Sequence, residues 1–281
     1  MGVWFITGAS RGFGLELVRA ALARGHRVVA TARSSAPLGE LLPGAGGDLL
    51  ALDLDVTDQE QVRSAVAAAV DTFGRLDVVV NNAGRGLLSA VEEASDEAVR
   101  AVYEVNVFGT LHVQRAVLPI LRAQRAGHVI NISSVGGLVG SAGWGIYAST
   151  KFAVEGFSEA LSHEVGPLGV HVTIVEPGYF RTDFLDGSSL HTGATVMEDY
   201  DDTAGAMRRR ARAVNHAQPG DPVKAAAAIV GMTEAEQPPL RLLLGKDSVR
   251  AVEAKLARLH ADIDAWREVS AATDHDEAGA A

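Results

Sequence analysis

Residues 7–14 read Thr-Gly-Ala-Ser-Arg-Gly-Phe-Gly, and this stretch decides the predicted fold. It follows the apolar run Val3–Ile6, which is typical of a buried strand, and it leads into the segment Phe13–Arg24, which has helical periodicity. Glycines at such a junction allow a tight turn and a close approach of backbone to a pyrophosphate, while the helix N-terminus offers N–H groups to the phosphates. The stretch therefore predicts a dinucleotide-binding loop with the spacing Gly-x-x-x-Gly-x-Gly.

Alternating strand and helix patterns continue along the rest of the chain. Apolar runs rich in Val, Ile and Leu predict seven strands: Val3–Ile6, Arg27–Thr31, Leu49–Asp53, Asp77–Asn81, His128–Ile132, His171–Glu176 and Leu240–Leu244. Segments of helical period lie between them: Phe13–Arg24, Asp58–Phe73, Asp96–Gln124, Trp144–Val165 and Pro222–Thr233. Because the strand runs lack polar alternation, both faces of the sheet should be covered. The pattern predicts an α/β fold in a single domain over residues 1–281. It is a doubly wound, Rossmann-type parallel sheet of about seven strands with helices on both faces.

Two helix starts carry capping signals. Thr57 followed by Glu60 matches a capping box, so we expect Thr57 to cap the helix after the third strand. Asp221 before Pro222 predicts an N-cap followed by a proline at the first helical position.

Two regions depart from the alternation. Residues 178–220 contain no strand candidate and are rich in Gly, Ser, Thr, Asp and Arg. A long connection directly after a strand end favours a lid over a ligand site. A C-terminal helical extension is expected over about 247–281, with a helix to about Glu268 and a frayed tail from Ser270.

Composition excludes several classes of function. The formal net charge of −10 argues against non-specific nucleic-acid binding, and the lack of cysteine excludes disulfides and thiolate catalysis. The nine histidines never show metal-ligand spacing, so no metal site is predicted. The apolar start Gly2–Ile6 is too short for a leader, and no later segment is long enough for a membrane span. We therefore expect a cytoplasmic protein.

The end of the second strand bears on the choice of cofactor. NAD-dependent enzymes typically place an acidic residue there, which accepts hydrogen bonds from the ribose 2′-hydroxyl. This chain instead reads Thr31-Ala32-Arg33, and it carries Arg11 inside the glycine loop. Two guanidinium groups can pair with a 2′-phosphate that an acid would repel. The sequence favours NADP(H), while the alternative that both arginines are simply solvated stays open.

A second group of residues predicts acid–base chemistry. Tyr147 and Lys151 lie four residues apart, hence on one face of the predicted helix. A tyrosine with an unperturbed pKa of about 10 is a poor catalyst at neutral pH. A nearby lysine charge and an oxidised nicotinamide would favour the phenolate. Ser134 lies upstream at the end of a predicted strand, on the edge where α/β sheets bind ligands.

Together these segments resemble the short-chain dehydrogenase/reductase family. The matching pieces stand in the family's order over residues 1 to about 182: Thr7–Gly14, Asn81-Asn82-Ala83-Gly84, Asn106, Ser134, Tyr147, Lys151 and Pro177-Gly178 with Thr182. The resemblance implies an NADP(H)-dependent oxidoreductase that reduces a carbonyl or oxidises the matching secondary alcohol. We expect the seven strands in the order 3-2-1-4-5-6-7.

The resemblance also implies a role for each matching residue. Tyr147 would exchange a proton with the substrate oxygen, and Ser134 would hydrogen-bond that oxygen. Lys151 would bind the nicotinamide ribose and tune Tyr147, and Asn106 would hold a water that extends a proton relay through Lys151. Family spacing selects Ser134 over the adjacent Ser133. Cofactor contacts are expected from Gly8, Ser10, Arg11, Gly12, Phe13, Gly14, Arg33, Asp55, Val56, Asn82, Ala83, Gly84, Tyr147, Lys151, Pro177, Gly178 and Thr182.

Substrate and assembly are less sharply defined by the sequence. An apolar pocket wall suggests a hydrophobic or aromatic carbonyl compound: Leu138, Val139, Trp144, Tyr179, Phe180 and Phe184. One alternative is a reductase of carrier- or CoA-linked 3-ketoacyl groups, with Arg208–Arg210 meeting the carrier, although a solvated helix face with local ion pairs explains this run more simply. Another is a non-catalytic NADP-sensing protein, against which the intact catalytic residues argue. A homo-oligomer, dimer or tetramer, is expected through Asp96–Gln124 and Trp144–Val165.

Overall fold

The central sheet has the predicted topology. The computed structural model describes residues 1–275. Within them the strands are β1 (Val3–Thr7), β2 (Arg27–Ala32), β3 (Leu49–Asp53), β4 (Val78–Asn81), β5 (Gly86–Leu88), β6 (Gly127–Ile132), β7 (Val170–Pro177), β8 (Leu190–Thr192) and β9 (Arg241–Leu244). Seven of them form a parallel sheet in the order β3-β2-β1-β4-β6-β7-β9. These seven correspond to the strands expected from the sequence, and their order is the expected 3-2-1-4-5-6-7.

The helices lie between the strands, as the alternation predicted. They are α1 (Gly12–Ala23), α2 (Leu38–Leu41), α3 (Gln59–Phe73), α4 (Asp96–Tyr103), α5 (Thr110–Gln124), α6 (Gly145–Val165), α7 (Ala206–Val214), α8 (Pro222–Met232) and α9 (Lys246–Ala271). Together with the sheet they give the expected doubly wound, Rossmann-type architecture.

Alternate residues of each strand face opposite helix layers. On β1, Val3 and Phe5 join one apolar core with α3, α5 and α6, whereas Trp4 and Ile6 join a second core with α1 and α8. None of the four is more than 1% exposed. A strand covered on both faces needs an apolar residue at every position, which explains why the run shows no polar alternation.

The predicted helix Asp96–Gln124 is interrupted. α4 ends at Tyr103, a π-helical turn spans Glu104–Gly109, and α5 begins at Thr110. Single π turns inside helices are frequent at functional sites. Here the turn carries Asn106, one of the predicted site residues.

The helix caps confirm one prediction and correct another. Asp221 caps α8 by accepting hydrogen bonds from N–H groups of the first turn, as expected. α3 is capped by Asp58 and not by Thr57, because the Asp58 carboxylate accepts from the backbone N–H of Glu60 at 2.9 Å. The Thr57 hydroxyl instead donates to Asp55 at 2.7 Å. Thr and Asp are both good N-cap residues. The Asp58 carboxylate lies one position nearer the helix than Thr57, so it is the side chain within reach of the free N–H groups.

The segment 178–220 contains a strand that the sequence did not predict. β8 pairs in parallel with β5, placing Leu190 opposite Gly86, and α7 follows further along. The expectation that this segment holds no strand is therefore wrong. A strand of three residues is too short to show a period, so the sequence pattern could not reveal it.

A long helix leads towards the C-terminus. α9 runs from Lys246 to Ala271, so the tail predicted to fray from Ser270 is helical at its first two residues. Residues 272–275 are not helical, as expected, and residues 276–281 lie outside the described residues. No helix within residues 1–275 is long and apolar enough to cross a membrane.

Candidate active site

A cleft of about 1510 Å³ opens where the main strands end. Most predicted site residues line it: Gly8, Ser10, Arg11, Gly12, Phe13, Arg33, Asp55, Val56, Asn82, Ala83, Gly84, Ser134, Tyr147, Lys151, Pro177, Gly178 and Thr182. The other two, Gly14 and Asn106, contact lining residues from behind. Parallel strands end at one edge of the sheet, so residues distant in sequence meet there.

The glycine loop is tied to the segment that follows β4. The Thr7 hydroxyl accepts hydrogen bonds from the backbone N–H groups of Asn82 and Ala83, both at 3.0 Å. The Asn82 amide donates to the carbonyl oxygens of Thr7 and Gly8 at 2.9 and 3.0 Å. A Cβ at Gly14 would lie 2.2 Å from the Gly8 carbonyl oxygen, so only glycine allows this approach. Asn82, predicted as a cofactor contact, thus uses its side chain to shape the loop.

Arg33 and Arg11, the two predicted phosphate ligands, have different surroundings. Arg33 directly follows β2, is exposed and lines the cleft, and within residues 1–275 no carboxylate forms an ion pair with it. Arg11 donates to the hydroxyls of Ser188 and Ser189 at 2.7 and 2.8 Å. The structure therefore makes Arg11 a link between the glycine loop and the 178–220 segment.

Ser134, Tyr147 and Lys151 meet at the floor of the cleft. Tyr147 and Lys151 are only 7% and 6% exposed. The Lys151 ammonium lies 5.8 Å from the centre of the Tyr147 ring and donates to the carbonyl oxygen of Ile132, at the end of β6, at 2.7 Å. The Ser134 hydroxyl accepts from the backbone N–H of Gly136 at 3.0 Å, which orients it at the end of the same strand. The predicted triad is thus brought together.

Burial sets the titration of these groups. It raises the pKa of Tyr147 above its usual range, while the neighbouring Ser134 hydroxyl acts in the opposite direction. Burial also lowers the pKa of Lys151 to about 8. The sequence argument expected Lys151 to lower the Tyr147 pKa, whereas within the protein desolvation dominates and holds the phenol protonated. A protonated phenol is the form that can donate to a substrate oxygen.

Asn106 anchors the helix that carries Tyr147 and Lys151. Its side-chain oxygen accepts from the backbone N–H of Arg85 at 2.9 Å, and its amide donates to the Arg85 carbonyl at 2.9 Å and to the Thr150 hydroxyl at 3.0 Å. Thr150 immediately precedes Lys151 on α6. The side chain therefore fixes α6 against the segment after β4, and the implied water relay stays a prediction.

Sequence reasoning missed a buried acidic pair behind α6. Glu155 lies one turn after Lys151, and Glu176 lies near the end of β7 with no exposed surface. Arg241 Nε is 3.2 Å from Glu155 and 3.5 Å from Glu176. Burial raises the pKa of both carboxyl groups. The four-residue spacing from Lys151 and a lone acid within an apolar strand were the available signals.

A second buried ion pair holds the 178–220 segment. Arg208 Nη1 lies 2.6 Å from the Glu93 carboxylate, whose side chain has no exposed surface. Glu93 also accepts from the backbone N–H of Met197 at 2.9 Å, and these contacts lower its pKa to about 2. The expectation that the whole arginine run is a solvated face is wrong for Arg208. Arg209 forms the exposed ion pair with Asp201 that was expected.

The substrate end of the cleft is apolar. Its walls include Val139, Trp144, Tyr179, Phe180, Phe184 and Leu185. Leu138, predicted for this wall, is not among the lining residues. Trp144 packs edge-on against Tyr147 with ring centres 5.5 Å apart, and Phe184 lies at the same distance on another side. These rings exclude water from the phenol, which is the physical cause of its raised pKa.

Residues 2–192 match the family model described as short chain dehydrogenase. The matched range contains the glycine loop and the whole cluster of Ser134, Tyr147 and Lys151. The chain belongs to the short-chain dehydrogenase family. It is therefore an oxidoreductase, as the resemblance implied.

Two curated relatives span most of this short-chain dehydrogenase. Oxidoreductase BOA17 of Botryotinia fuckeliana is 42% identical over 272 residues, covering 96% of this chain and 98% of that protein. The 3-ketodihydrosphingosine reductase of Bacteroides thetaiotaomicron is 38% identical over 242 residues, covering 85% of this chain and 86% of that protein. The second of these names is that of a ketone reductase.

Solved structures of other short-chain dehydrogenases share the fold. One from Streptomyces avermitilis is 40% identical with a TM-score of 0.91, covering 98% of this chain and all of that one. One from Burkholderia phymatum in complex with NAD is 25% identical with a TM-score of 0.81, covering 94% of both chains. One from Burkholderia cenocepacia in complex with NADP is 27% identical with a TM-score of 0.72, covering 94% of this chain and 96% of that one. Of these neighbours, one is therefore seen with NAD bound and another with NADP bound.

The glycine loop of this short-chain dehydrogenase fits a nicotinamide dinucleotide. The first turn of α1 carries no acidic residue that would repel a pyrophosphate. Gly8 and Gly12 have positive φ angles of 67° and 54°, which shape a loop free of side chains at those points. When bound, the cofactor supplies or accepts a hydride. The chain's own residues would then hold the substrate oxygen between the Ser134 hydroxyl and the Tyr147 phenol, which provides the proton.

Proposed function

We propose that this short-chain dehydrogenase is an NADP(H)-dependent reductase of hydrophobic ketones or aldehydes, which can also oxidise the matching secondary alcohols. The observation that carries the proposal is the buried Tyr147 beside Ser134, because desolvation holds the phenol protonated against an apolar wall. A site of this kind donates a proton to the oxygen of a carbonyl substrate while excluding water.

Arg33 supports the choice of NADP(H). It follows β2 at the cleft and is exposed, and no acid stands at the strand end where a 2′-hydroxyl would be recognised. A guanidinium can form charge-assisted hydrogen bonds with a 2′-phosphate. Arg11 is engaged with Ser188 and Ser189, so the preference for NADP(H) rests on Arg33 alone.

The apolar wall supports a hydrophobic substrate. The relative named for 3-ketodihydrosphingosine, a long-chain ketone, points the same way. A carrier-linked 3-ketoacyl substrate is less favoured, because Arg208 and Arg209 are already paired with Glu93 and Asp201, and only Arg210 of the run lines the cleft. A non-catalytic NADP-sensing role is disfavoured because the acid–base cluster is assembled.

The remaining expectations stand as part of this proposal. The 178–220 segment would act as a lid within a single domain, since it covers the substrate end of the cleft. Assembly would use α4, α5 and α6 to form a dimer or tetramer, and the protein would work in the cytoplasm.

The test is turnover of NADPH and NADH, followed by absorbance, with aliphatic, aromatic, steroid, long-chain and carrier-linked ketones. We expect NADPH to be preferred by about tenfold or more, which corresponds to about 1.4 kcal/mol from one charged contact. Arg33→Ala should remove most of this preference. Tyr147→Phe should lower turnover by about 10²- to 10⁴-fold while NADPH still binds.

Each other outcome has a distinct meaning. A preference for NADH that Arg33→Ala leaves unchanged would overturn the cofactor assignment but not the chemistry. Tight NADPH binding without turnover of any ketone, in wild type and Tyr147→Phe alike, would instead favour the sensing role.

A further inference from the structure

The outer part of α9 makes no contact that buries it. Every residue from Leu256 to Ala271 is exposed, whereas Val252, one turn earlier, is only 7% exposed. At 1.5 Å per residue the exposed part is about 24 Å long. Helices of this length are rarely stable in water without tertiary packing. Its sequence should therefore show what packs against it.

Six apolar residues of α9 follow a coiled-coil pattern. They recur in alternating steps of three and four: Val249, Val252, Leu256, Leu259, Ile263 and Trp266. Only Val269 among the large apolar residues of this helix lies outside the series. This is the a/d repeat of 3.5 residues per turn, which forms a narrow seam and not the broad face of a helix packed on a globular core. The last four are 51%, 42%, 52% and 63% exposed, so the described chain leaves this part of the seam uncovered.

The charges on the outer helix disfavour a lipid surface as the partner. Interfacial helices that bind anionic membranes are rich in Lys and Arg on the polar face. From Leu256 to Ala271 the chain carries two arginines against three acidic residues. Mixed charges beside an a/d seam are typical of helices that pair with other helices.

We propose that α9 pairs with α9 of a second copy of this chain as a short antiparallel coiled coil. A two-fold axis near Ala261 places Leu256 of one copy opposite Trp266 of the other, and Leu259 opposite Ile263. The largest side chain then meets a leucine and not its own copy. All four exposed seam residues are covered by the same four residues of the second copy, as a two-fold interface requires.

Charge complementarity supports this register. Glu253 and Arg267 both occupy the e position of the heptad. In an antiparallel coiled coil, the e positions of one helix face the e positions of the other. The same two-fold axis brings Glu253 of each copy opposite Arg267 of the other, which gives two attractive pairs against one like-charge pair between the two Asp262 side chains. A parallel arrangement would stack Trp266 on its own copy and place both folded bodies at the same end of helices whose axes are about 10 Å apart.

The assembly can be measured by sedimentation equilibrium of the full chain at micromolar concentrations. The double substitution Leu259→Asp with Ile263→Asp should halve the mass of the assembly. The matched control, Ala257→Asp with Ala261→Asp, adds the same charges to the polar face of the helix and should leave the mass unchanged. The substituted positions are exposed in one protomer, so both variants should retain NADPH binding and turnover.

Cross-linking tests the orientation, because the natural chain has no cysteine. A mixture of Leu256→Cys and Trp266→Cys proteins treated with a short bis-maleimide should give mixed dimers. Leu256→Cys alone should give few, because the antiparallel register separates the two copies of this residue by about 15 Å along the helix axis. Efficient cross-linking of Leu256→Cys alone would overturn the antiparallel register.

Two results would overturn the pairing itself. The first is that the Leu259→Asp/Ile263→Asp variant sediments with the same assembly mass as the wild type. The other is binding of the wild type, but not of this variant, to anionic vesicles without any change in mass. Neither depends on the cofactor or the substrate, so failure of this inference and failure of the proposed function are separable.

Discussion

The glycine loop, residues 7–14, and the 178–220 segment line the same cleft, yet different contacts hold them. The loop is fixed by its backbone: Gly8 has a φ of 67°, and Gly14 admits no Cβ beside the Gly8 carbonyl. The segment is held by side chains that pair across the sequence, Arg208 with Glu93 and Ser188 with Arg11. Backbone constraints can be inferred from a local stretch of sequence. A pair separated by more than a hundred residues requires the fold.

The largest effect should come from breaking the segment's buried ion pair. Arg208→Met leaves the Glu93 carboxylate buried without its cation, which typically costs about 3–5 kcal/mol. Because this loss falls on the 178–220 segment, we expect faster proteolysis there and a higher KM for the ketone. The affinity for NADPH, which we propose depends on the glycine loop, should change little.

Arg209→Met is the matched control, since its ion pair with Asp201 is exposed and should be worth less than about 1 kcal/mol. The pKa of Glu93 is lowered to about 2, so the stability from its ion pair is present above its usual pKa of 4.5 and is lost as pH falls towards 2. The difference between wild type and Arg208→Met should therefore shrink in acid. Equal effects of the two arginine variants would show that the buried pair does not hold the segment.

The second-largest effect should come from the glycine loop. In Gly14→Ala the new Cβ would lie 2.2 Å from the Gly8 carbonyl oxygen and 2.6 Å from the Asn82 amide nitrogen. Overpacking against backbone costs up to about 3 kcal/mol, and here it also displaces the turn proposed to bind the cofactor phosphates. We expect a lower Tm and a large loss of NADPH affinity. Gly39→Ala should leave both unchanged, because within residues 1–275 its new Cβ would meet no atom within 4 Å beyond its chain neighbours and its own helix backbone.

The features that could be predicted resemble the glycine loop, because each is encoded in a local stretch of sequence. The seven strands follow from apolar runs and chain alternation, whereas their order and the selection of Ser134, Tyr147 and Lys151 also draw on the family resemblance. β8 escaped prediction because three residues show no period. Arg11 and Arg208 were assigned to phosphate or solvent because nothing in their local sequence indicates Ser188 or Glu93 as partners.

A third, pH-dependent effect should arise at Glu176, at the end of β7 where the 178–220 segment begins. Burial raises its pKa from the usual 4.5 to about 8. The protonated form is therefore favoured in the fold, and burying this group destabilises the protein increasingly as pH rises from 4.5 through 8. Glu176→Gln, which stays neutral, should raise Tm by about 2–4 °C for each kcal/mol recovered, more at pH 8 than at pH 5.

Glu159→Gln provides the control with the opposite sign. Glu159 is exposed, and its hydrogen bond with Arg241 lowers its pKa, so its contribution is present above the usual pKa and is lost in acid. The substitution should lower Tm slightly at neutral pH. A Tm gain for Glu176→Gln that does not vary with pH would contradict the assignment of the buried, protonated form.

The smallest effect should come from Arg11, the contact that joins the two regions. Arg11→Lys keeps the charge but loses the fork that reaches both Ser188 and Ser189, a loss of about 1 kcal/mol. We expect faster hydrogen exchange in β8, with the affinities for NADPH and NADH unchanged. Ser189→Ala, which removes the partner of Arg11, should speed hydrogen exchange in β8 to a similar extent. If Arg11 instead binds the 2′-phosphate, the affinity for NADPH should fall while that for NADH holds, and exchange in β8 should stay slow. The same substitution thus decides whether Arg11 binds the cofactor or anchors the 178–220 segment to the glycine loop.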